Sequence, residues 1–225
     1  MIEAKNVSFS FKNSNSEKII LDDSSLKIEV GEIVGLEGRN GVGKTTLIKL
    51  LCGLLVPTHG EITINGRNPN RNRCKVLKDL GVLFVKPSQI KGSSGSFVME
   101  SLELNRYLFG TDKALFKKKL DYYTTIFELD DVMDKKIQEL SFGQKRKIEI
   151  MDILLHNPKI LLLDEPTIGL DVTAKEQIRN CFLQLNATED MTILVTSHDE
   201  SDLRTLCKRT VKLVDGKIIE GRKVM

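Results

Sequence analysis

The sequence predicts an α/β fold: a mostly parallel sheet covered on both faces, with an N-terminal antiparallel β subdomain and an inserted helical subdomain. Three observations carry this expectation. Short apolar strands alternate with helical patterns through the last third of the chain, the order that a parallel sheet with crossover helices requires. The first forty residues are strand-like almost throughout. The stretch from about Ser88 to Glu139 changes character, opening on the glycine- and serine-rich "KGSSGS" and continuing with lysine-studded helical spacing.

Taken in order, Ile2, Ala4, Val7, Phe9 and Phe11 stand in near-alternation, and "LKIEVGEIVGLEG" repeats the short-strand pattern up to Gly38. From Lys44 to Leu54, Leu47, Ile48, Leu50, Leu51 and Leu54 recur at helical spacing, with Gly53 near the stop and Pro57 beyond it. "GEITING" reads as a strand running into an Asn65-Gly66 turn. The inserted subdomain contains helical patterns at Leu102 to Phe109 and Phe116 to Phe127. A helix from Ser141 to about Asn157, the strand Ile160 to Leu163, a helix around Ala174 to Leu185 and the strand Thr192 to Thr196 follow. A helix around Glu200 to Lys208 and a hairpin turned by Asp215-Gly216 close the chain. The expected organisation is one domain over 1–225: a core from 1–87 and 141–225, and a helical part from 88–140 whose last helix continues past 140.

Composition narrows the function classes. The 225 residues, 40% hydrophobic, suffice to bury a core. The longest apolar runs fall far short of the roughly 20 residues of a membrane-spanning helix, and no signal-peptide core opens the sequence. A membrane role therefore calls for a partner chain. The cysteines Cys52, Cys74, Cys181 and Cys207 contain no C-x-x-C pair, which argues against a zinc site or a disulfide framework and for buried thiols in a reducing cytosol. A net charge of +3 gives no footprint for nucleic acid; the basic clusters Arg71, Arg73, Lys75 and Lys117 to Lys119 read as solvated surface.

Two stretches carry chemistry. "GRNGVGKTT" contains G-x-x-x-x-G-K-[ST] between an expected strand and an expected helix. Backbone N–H groups across Gly38, Arg39, Asn40, Gly41, Val42 and Gly43 can wrap a phosphate at the helix N-terminus. Lys44 neutralises the outer phosphates and Thr45, followed by Thr46, places its hydroxyl on Mg²⁺. "KILLLDEPT" ends an apolar strand in Asp164 and Glu165, delivering two carboxylates to the sheet edge where open α/β folds bind ligands. Asp164 is expected to bind the magnesium through water, and Glu165 to orient and deprotonate an attacking water.

With "LSFGQ" at 140–144, "GLD" at 169–171 and "TSHD" at 196–199 in the same order, the chain resembles an ATP-binding cassette (ABC) ATPase over nearly its whole length. The resemblance implies a P-loop NTPase (RecA-like) core that binds ATP with Mg²⁺ and hydrolyses it. It implies that Ser141, Gly143 and Gln144 complete the nucleotide site of a second cassette subunit, identical or not, and that Asp171 contacts that subunit. His198 is then the histidine that meets the terminal phosphate beside Glu165. Phe11 falls where the family places an adenine-stacking aromatic, and equally where an alternating strand puts a core side chain. The implied role is the nucleotide-binding subunit of a transporter of the exporter type, peripheral on the cytoplasmic face of the membrane and docked on polytopic membrane subunits. A soluble cassette ATPase uncoupled from transport, and a nucleotide-gated regulatory subunit with little hydrolysis, remain open alternatives.

Two residues depart from the family pattern. Phe142 replaces the first glycine of the usual Leu-Ser-Gly-Gly-Gln. Ser141 and Gln144 form an S-x-x-Q capping box, so Phe142 is expected as a first helical residue, unstrained, with its ring pointing away toward the dimer or membrane-subunit side. Val85 stands where the family commonly has a metal-binding glutamine; Gln89, four residues on, or a water would take that place. Beyond it, Phe97, Val98 and Met99 line a groove for a membrane-subunit helix or pack the helical subdomain.

Overall fold

The computed structural model describes residues 1–13, 16–85 and 95–223. Residue Gln89 lies outside them. Near-alternation at the N-terminus becomes strand β1 (Ile2–Asn13), whose Ile2, Ala4 and Val7 are buried. The next strand, β2 (Ser16–Ile28), starts well before the expected "LKIEV" pattern, because its first half is an exposed edge that carries no apolar period. After a turn the chain enters β3 (Ile33–Glu37) and, past the glycine-rich loop, helix α1 (Lys44–Leu51). The helix stops before the expected Leu54, where the backbone turns through Gly53 at φ 72°.

Strand β4 (His59–Ile64) leads to helix α2 (Arg73–Asp79), which the basic cluster concealed: it buries only Val76, too little for a period to show. Arg73, expected as free surface, donates from Nη1 to the Gly53 carbonyl at 2.6 Å. Strand β5 (Leu80–Leu83) follows. The middle of the chain gives α3 (Val98–Phe109) and α4 (Lys113–Phe127), the latter capped by Asp112 through the N–H groups of Ala114 and Leu115, and then two short 3₁₀ turns. Val98 is fully buried and Met99 packs on the core, so for these two the groove reading gives way to packing; Phe97 remains exposed. The rest is α5 (Phe142–Leu155), β6 (Ile160–Asp164), α6 (Val172–Glu189), β7 (Thr192–Thr196), α7 (Glu200–Leu206), β8 (Arg209–Val214) and β9 (Lys217–Lys223).

Two sheets result: β2-β1-β4, antiparallel, and β5-β6-β7-β3-β8-β9, parallel except for the last strand. The larger sheet divides the hydrophobic residues by parity. Leu161 and Leu163 of β6, with Ile193 and Val195 of β7, face α5, α6 and the helical subdomain. Their neighbours Ile160, Leu162 and Leu194 face α1 and the small sheet. Covering both faces is what makes "ILLL" and "ILV" continuous rather than alternating. Their C-terminal ends stop at one edge, where Asp164 and Thr196 stand side by side in register. Among the described residues no helix is long and apolar enough to cross a membrane.

Three of the cysteines are buried, but Cys74 on α2 is exposed, contrary to the expectation of burial for all four. Burial pushes the Cys181 and Cys207 thiols up to about 12 and that of Cys52 up as well. A thiol reagent that reacts through the thiolate at about pH 8 should label Cys74 alone in the native chain and all four cysteines in denaturant, read by absorbance or intact mass.

Candidate functional site

The loop between β3 and α1 folds as a row of backbone amides because its glycines allow it. Gly41 and Gly43 take φ of 74° and 120°, and a Cβ at Gly43 would lie 2.5 Å from Ile20 Cγ2. Val42 packs its side chain against the core, and its N–H donates to the Arg39 carbonyl at 3.3 Å, closing the loop. Lys44 is buried to 7% exposure and curls back, its Nζ 2.6 Å from the Gly38 carbonyl and 3.4 Å from that of Arg39. An ammonium held over a ring of amides at a helix N-terminus is a phosphate cradle.

The acidic turn after β6 faces this cradle. Asp164, 1% exposed, accepts from Thr45 Oγ1 on Oδ2 at 2.6 Å and from Thr196 Oγ1 on Oδ1 at 2.8 Å. Glu165 adopts φ 51°, a left-handed conformation that costs a non-glycine residue about 1–2 kcal/mol. Its N–H is held between the carbonyl and hydroxyl of Thr196, at 3.2 and 3.0 Å. The side chain turns to His198: Oε2 accepts the His198 backbone N–H at 3.0 Å. Oε1 lies 3.2 Å from His198 Nε2 without hydrogen-bond alignment, so it is a buried acceptor lacking a donor among the described residues. Burial raises the Glu165 carboxyl above its ordinary range, while the His198 N–H and charge and the Lys44 ammonium pull it down and Asp164 adds to the rise.

Between cradle and turn lies a cavity of about 330 Å³ lined by Phe11, Arg39, Asn40, Gly41, Gly43, Lys44, Thr45, Thr46, Val85, Asp164, Glu165 and His198, with Lys18 and Ile20 on its rim. Phe11 is 45% exposed at the mouth, braced edge-on by Phe9 at 5.0 Å. The core alternative for Phe11 is thereby overturned. Val85 does line the wall, offering no oxygen. The Thr45 hydroxyl and the Asp164 carboxylate, with oxygens 2.6 Å apart, are hard oxygen donors of the kind that would hold a magnesium ion.

Ser141, Gly143, Gln144 and Asp171 do not line this cavity. Ser141 caps α5, accepting from the Gln144 N–H at 3.2 Å, and Gln144 Oε1 accepts the Ser141 N–H at 3.0 Å. Phe142 is the first helical residue, as the capping box required. Its ring, half-exposed, lies beside Gly169, where an added Cβ would approach ring Cε1 to 3.1 Å. A Cβ at Gly143 would meet only Leu170, at an ordinary 3.7 Å, so packing within the chain does not demand this glycine. Asp171 caps α6 through the Ala174 N–H at 2.8 Å.

A sequence profile described as "ABC transporter" matches residues 21–168. The chain belongs to the ABC transporter ATP-binding family. It is 32% identical over 223 residues to the ABC transporter ATP-binding protein NatA of Bacillus subtilis (strain 168), covering 97% of this chain and 88% of that one. It is 34% identical over 209 residues to the energy-coupling factor transporter ATP-binding protein EcfA2 of Acetivibrio thermocellus, covering 92% and 74%. Among solved structures it resembles the dimeric post-hydrolysis cassette MJ0796 bound to ADP and Pi, with a TM-score of 0.88, 26% identity, and 100% and 99% of the two chains covered. As an ABC ATPase the protein is an ATP-binding, ATP-hydrolysing cassette, and its cavity is the place where the family's phosphate loop and acidic strand end meet.

Three parts of this ABC cassette escaped the sequence reading. Thr196 shares Asp164 and Glu165, although "TSHD" was noted for its histidine. Arg146, inside the basic run after the signature, is fully buried beneath the acidic turn. Asp202, 1% exposed on α7, accepts from Thr167 Oγ1 at 2.5 Å, from Ser197 Oγ at 3.0 Å and from Arg179 Nε at 2.6 Å, tying the loops after β6 and β7 to α6. The only available signal was an acid in the first helical turn after "TSHD". Replacing Asp202 by Ala strands the Arg179 charge and two hydroxyls, and should cost about 3–5 kcal/mol in urea unfolding, whereas the same change at exposed Glu200 should stay within about 0.5 kcal/mol.

Proposed function

We propose that two cassette subunits sandwich two ATP molecules, each held between Gly38 to Thr46 of one chain and Ser141 to Gln144 of the other, and that closure drives movement of a substrate through separate membrane subunits. The observation that carries this reading is the division just described: one chain holds a cradle, a carboxylate pair and a histidine in one cavity, while a capped helix end with an internally unneeded glycine stands outside it.

In this mechanism the loop amides and Lys44 bind and orient the phosphates, and Phe11 stacks on adenine. Magnesium, when bound by Thr45 and Asp164, neutralises charge on the outer phosphates. The free Oε1 of Glu165 accepts the proton of the attacking water in line with the terminal phosphoryl group, and His198 is placed to hold that group. Raised by burial, Glu165 is the stronger base for it. Contact between Asp171 and the partner would report closure from one subunit to the other.

For docking, α3 supports a membrane partner: Leu104, Tyr107 and Leu108, at helical i, i+3, i+4 spacing, are exposed near Phe97. In this reading the chain is peripheral to the membrane, on its cytoplasmic face. Outward transport is proposed from Phe142 and Val85, departures similar to those of some exporter-type members, and ATP-dependent uptake by inverted membrane vesicles, absent from right-side-out vesicles, is its test.

The Glu165→Gln variant should bind ATP with unchanged affinity, lose at least about 10²-fold in turnover, and run as a nucleotide-trapped dimer on size exclusion. Turnover at the normal rate would remove Glu165 from its role. Since only the ionised carboxylate accepts a proton, the wild-type rate should fall on acidification at a pH above the usual carboxylate range. Phe11→Ala should weaken ATP about tenfold in a calorimetric titration, and Phe11→Tyr should not.

A further inference from the structure

Arg146 has no exposed surface, yet all five of its N–H groups are used. Nε donates to the Pro166 carbonyl at 3.0 Å, and Nη2 to the carbonyls of Asp164 at 3.2 Å and Glu165 at 2.8 Å. Nη1 donates to the Phe84 carbonyl at 2.8 Å and to Glu149 Oε2 at 3.1 Å. Three consecutive carbonyls of the turn carrying Glu165 thus converge on one planar fork. The turn is also the place where a non-glycine residue sits at positive φ, a conformation that persists only where its surroundings over-determine it. The fork belongs to α5, whose first turn, five residues earlier, is the capped end that holds Ser141 to Gln144.

We propose that Arg146 is a positioning residue for hydrolysis: it holds the Glu165 turn in its left-handed conformation and thereby makes the geometry of the base depend on the orientation of α5. This rests on the sandwich reading, in which the head of α5 meets the nucleotide of the opposite site. One helix then touches one ATP with its first turn and, through Arg146, sets the base that acts on the other. Phe84, next to Val85 on the cavity wall, offers its carbonyl to the same fork, so the backbone at Phe84 is tied to the turn. Lysine cannot substitute, because an ammonium offers three donors and no planar fork.

The experiment is a double-mutant cycle on the full chain, with its partner subunits where turnover requires them: wild type, R146K, E165Q and R146K/E165Q, with ATP affinity, KM, and steady-state and single-turnover rates measured with Mg-ATP. A residue that acts through Glu165 lowers kcat by about 10²-fold in the wild-type background, since a misplacement of about 1 Å is enough for that. KM and ATP affinity should stay within about twofold, and the residual rate of E165Q should be unchanged by R146K. Wild-type kcat in R146K overturns the proposal, and so does the same fold-loss in both backgrounds, which is the mark of a fold-wide defect. If R146K does not accumulate as folded protein, Glu149→Gln, which removes the ionic partner that orients the fork, is put through the same cycle. A smaller loss that vanishes beside E165Q is expected, and no loss, or an equal loss in both backgrounds, overturns the proposal. An E165Q chain that turns over at the wild-type rate removes the parent reading and this one together, whereas an inactive E165Q beside a fully active R146K removes this one alone.

Discussion

One hydrogen bond, Thr45 Oγ1 to Asp164 Oδ2 at 2.6 Å, joins residues 119 positions apart, and the site exists because it can form. Strands β3 and β6 are not neighbours; β7 runs between them. At a spacing of about 4.8 Å per strand the two tips stand roughly 10 Å apart, too far for a threonine to reach an aspartate across the sheet. The gap closes because α1 begins over the edge and carries Thr45 toward Asp164, and because Thr196, at the tip of the intervening strand, bonds the other oxygen of the same carboxylate. Three strand ends are thereby locked to one side chain. Glu165, next to Asp164, and His198, two residues past Thr196, inherit their positions from it.

The residues of the cavity were legible because their requirements are local. A glycine at positive φ, a lysine after it and a carboxylate at the end of an apolar strand are each fixed by the backbone conformation around them, so spacing alone identifies them. What held the cavity residues in place was not legible. Nothing in "KRK" marks its middle member, Arg146, as the one that is fully buried, and nothing in "ESD" marks Asp202. A buried ion acquires its partners from distant segments, and no periodicity records them. The same cause hid α2, which buries one side chain, and the outer half of β2, which buries almost none. Phe11 was ambiguous for a different reason: alternation assigns a face, but exposure depends on whether anything covers that face, and at the end of β1 the cavity does not.

Phe142 shows how a motif can change while its geometry survives. The backbone at the start of α5 is fixed by reciprocal bonds between Ser141 and Gln144, neither of which involves the side chain between them. A first-turn helical residue needs no positive φ, so the glycine usual at this position is not required by conformation. The added ring finds a partner in Gly169, which leaves room for it because it has no side chain of its own. The head of α5 is thus packed against the loop that leads into α6, and Asp171, two residues past Gly169, caps that helix from the same loop. Substitution at one element of the face is matched by contact with another.

That face also carries the argument for the proposed two-cassette assembly. Glu165 Oε1 is an acceptor with no aligned donor among the described residues, which is costly unless a water or ligand arrives: Thr196 is committed to Asp164, the His198 N–H to Oε2, and the His198 ring, 3.2 Å away, is not aligned to donate. The donors still available are elsewhere, at the capped start of α5, where Ser141 uses its oxygen as an acceptor but keeps its hydroxyl proton, and at Gly143, whose N–H lies in the first helical turn and so lacks an intrahelical acceptor. Those groups cannot fold back onto the cavity of their own chain, because Arg146 fixes α5 to the underside of the acidic turn while its head points outward. An acceptor on one surface and donors on another, held apart by a rigid fork, are the arrangement that the proposed sandwich would satisfy, with a second cassette brought opposite the first and nucleotide between them.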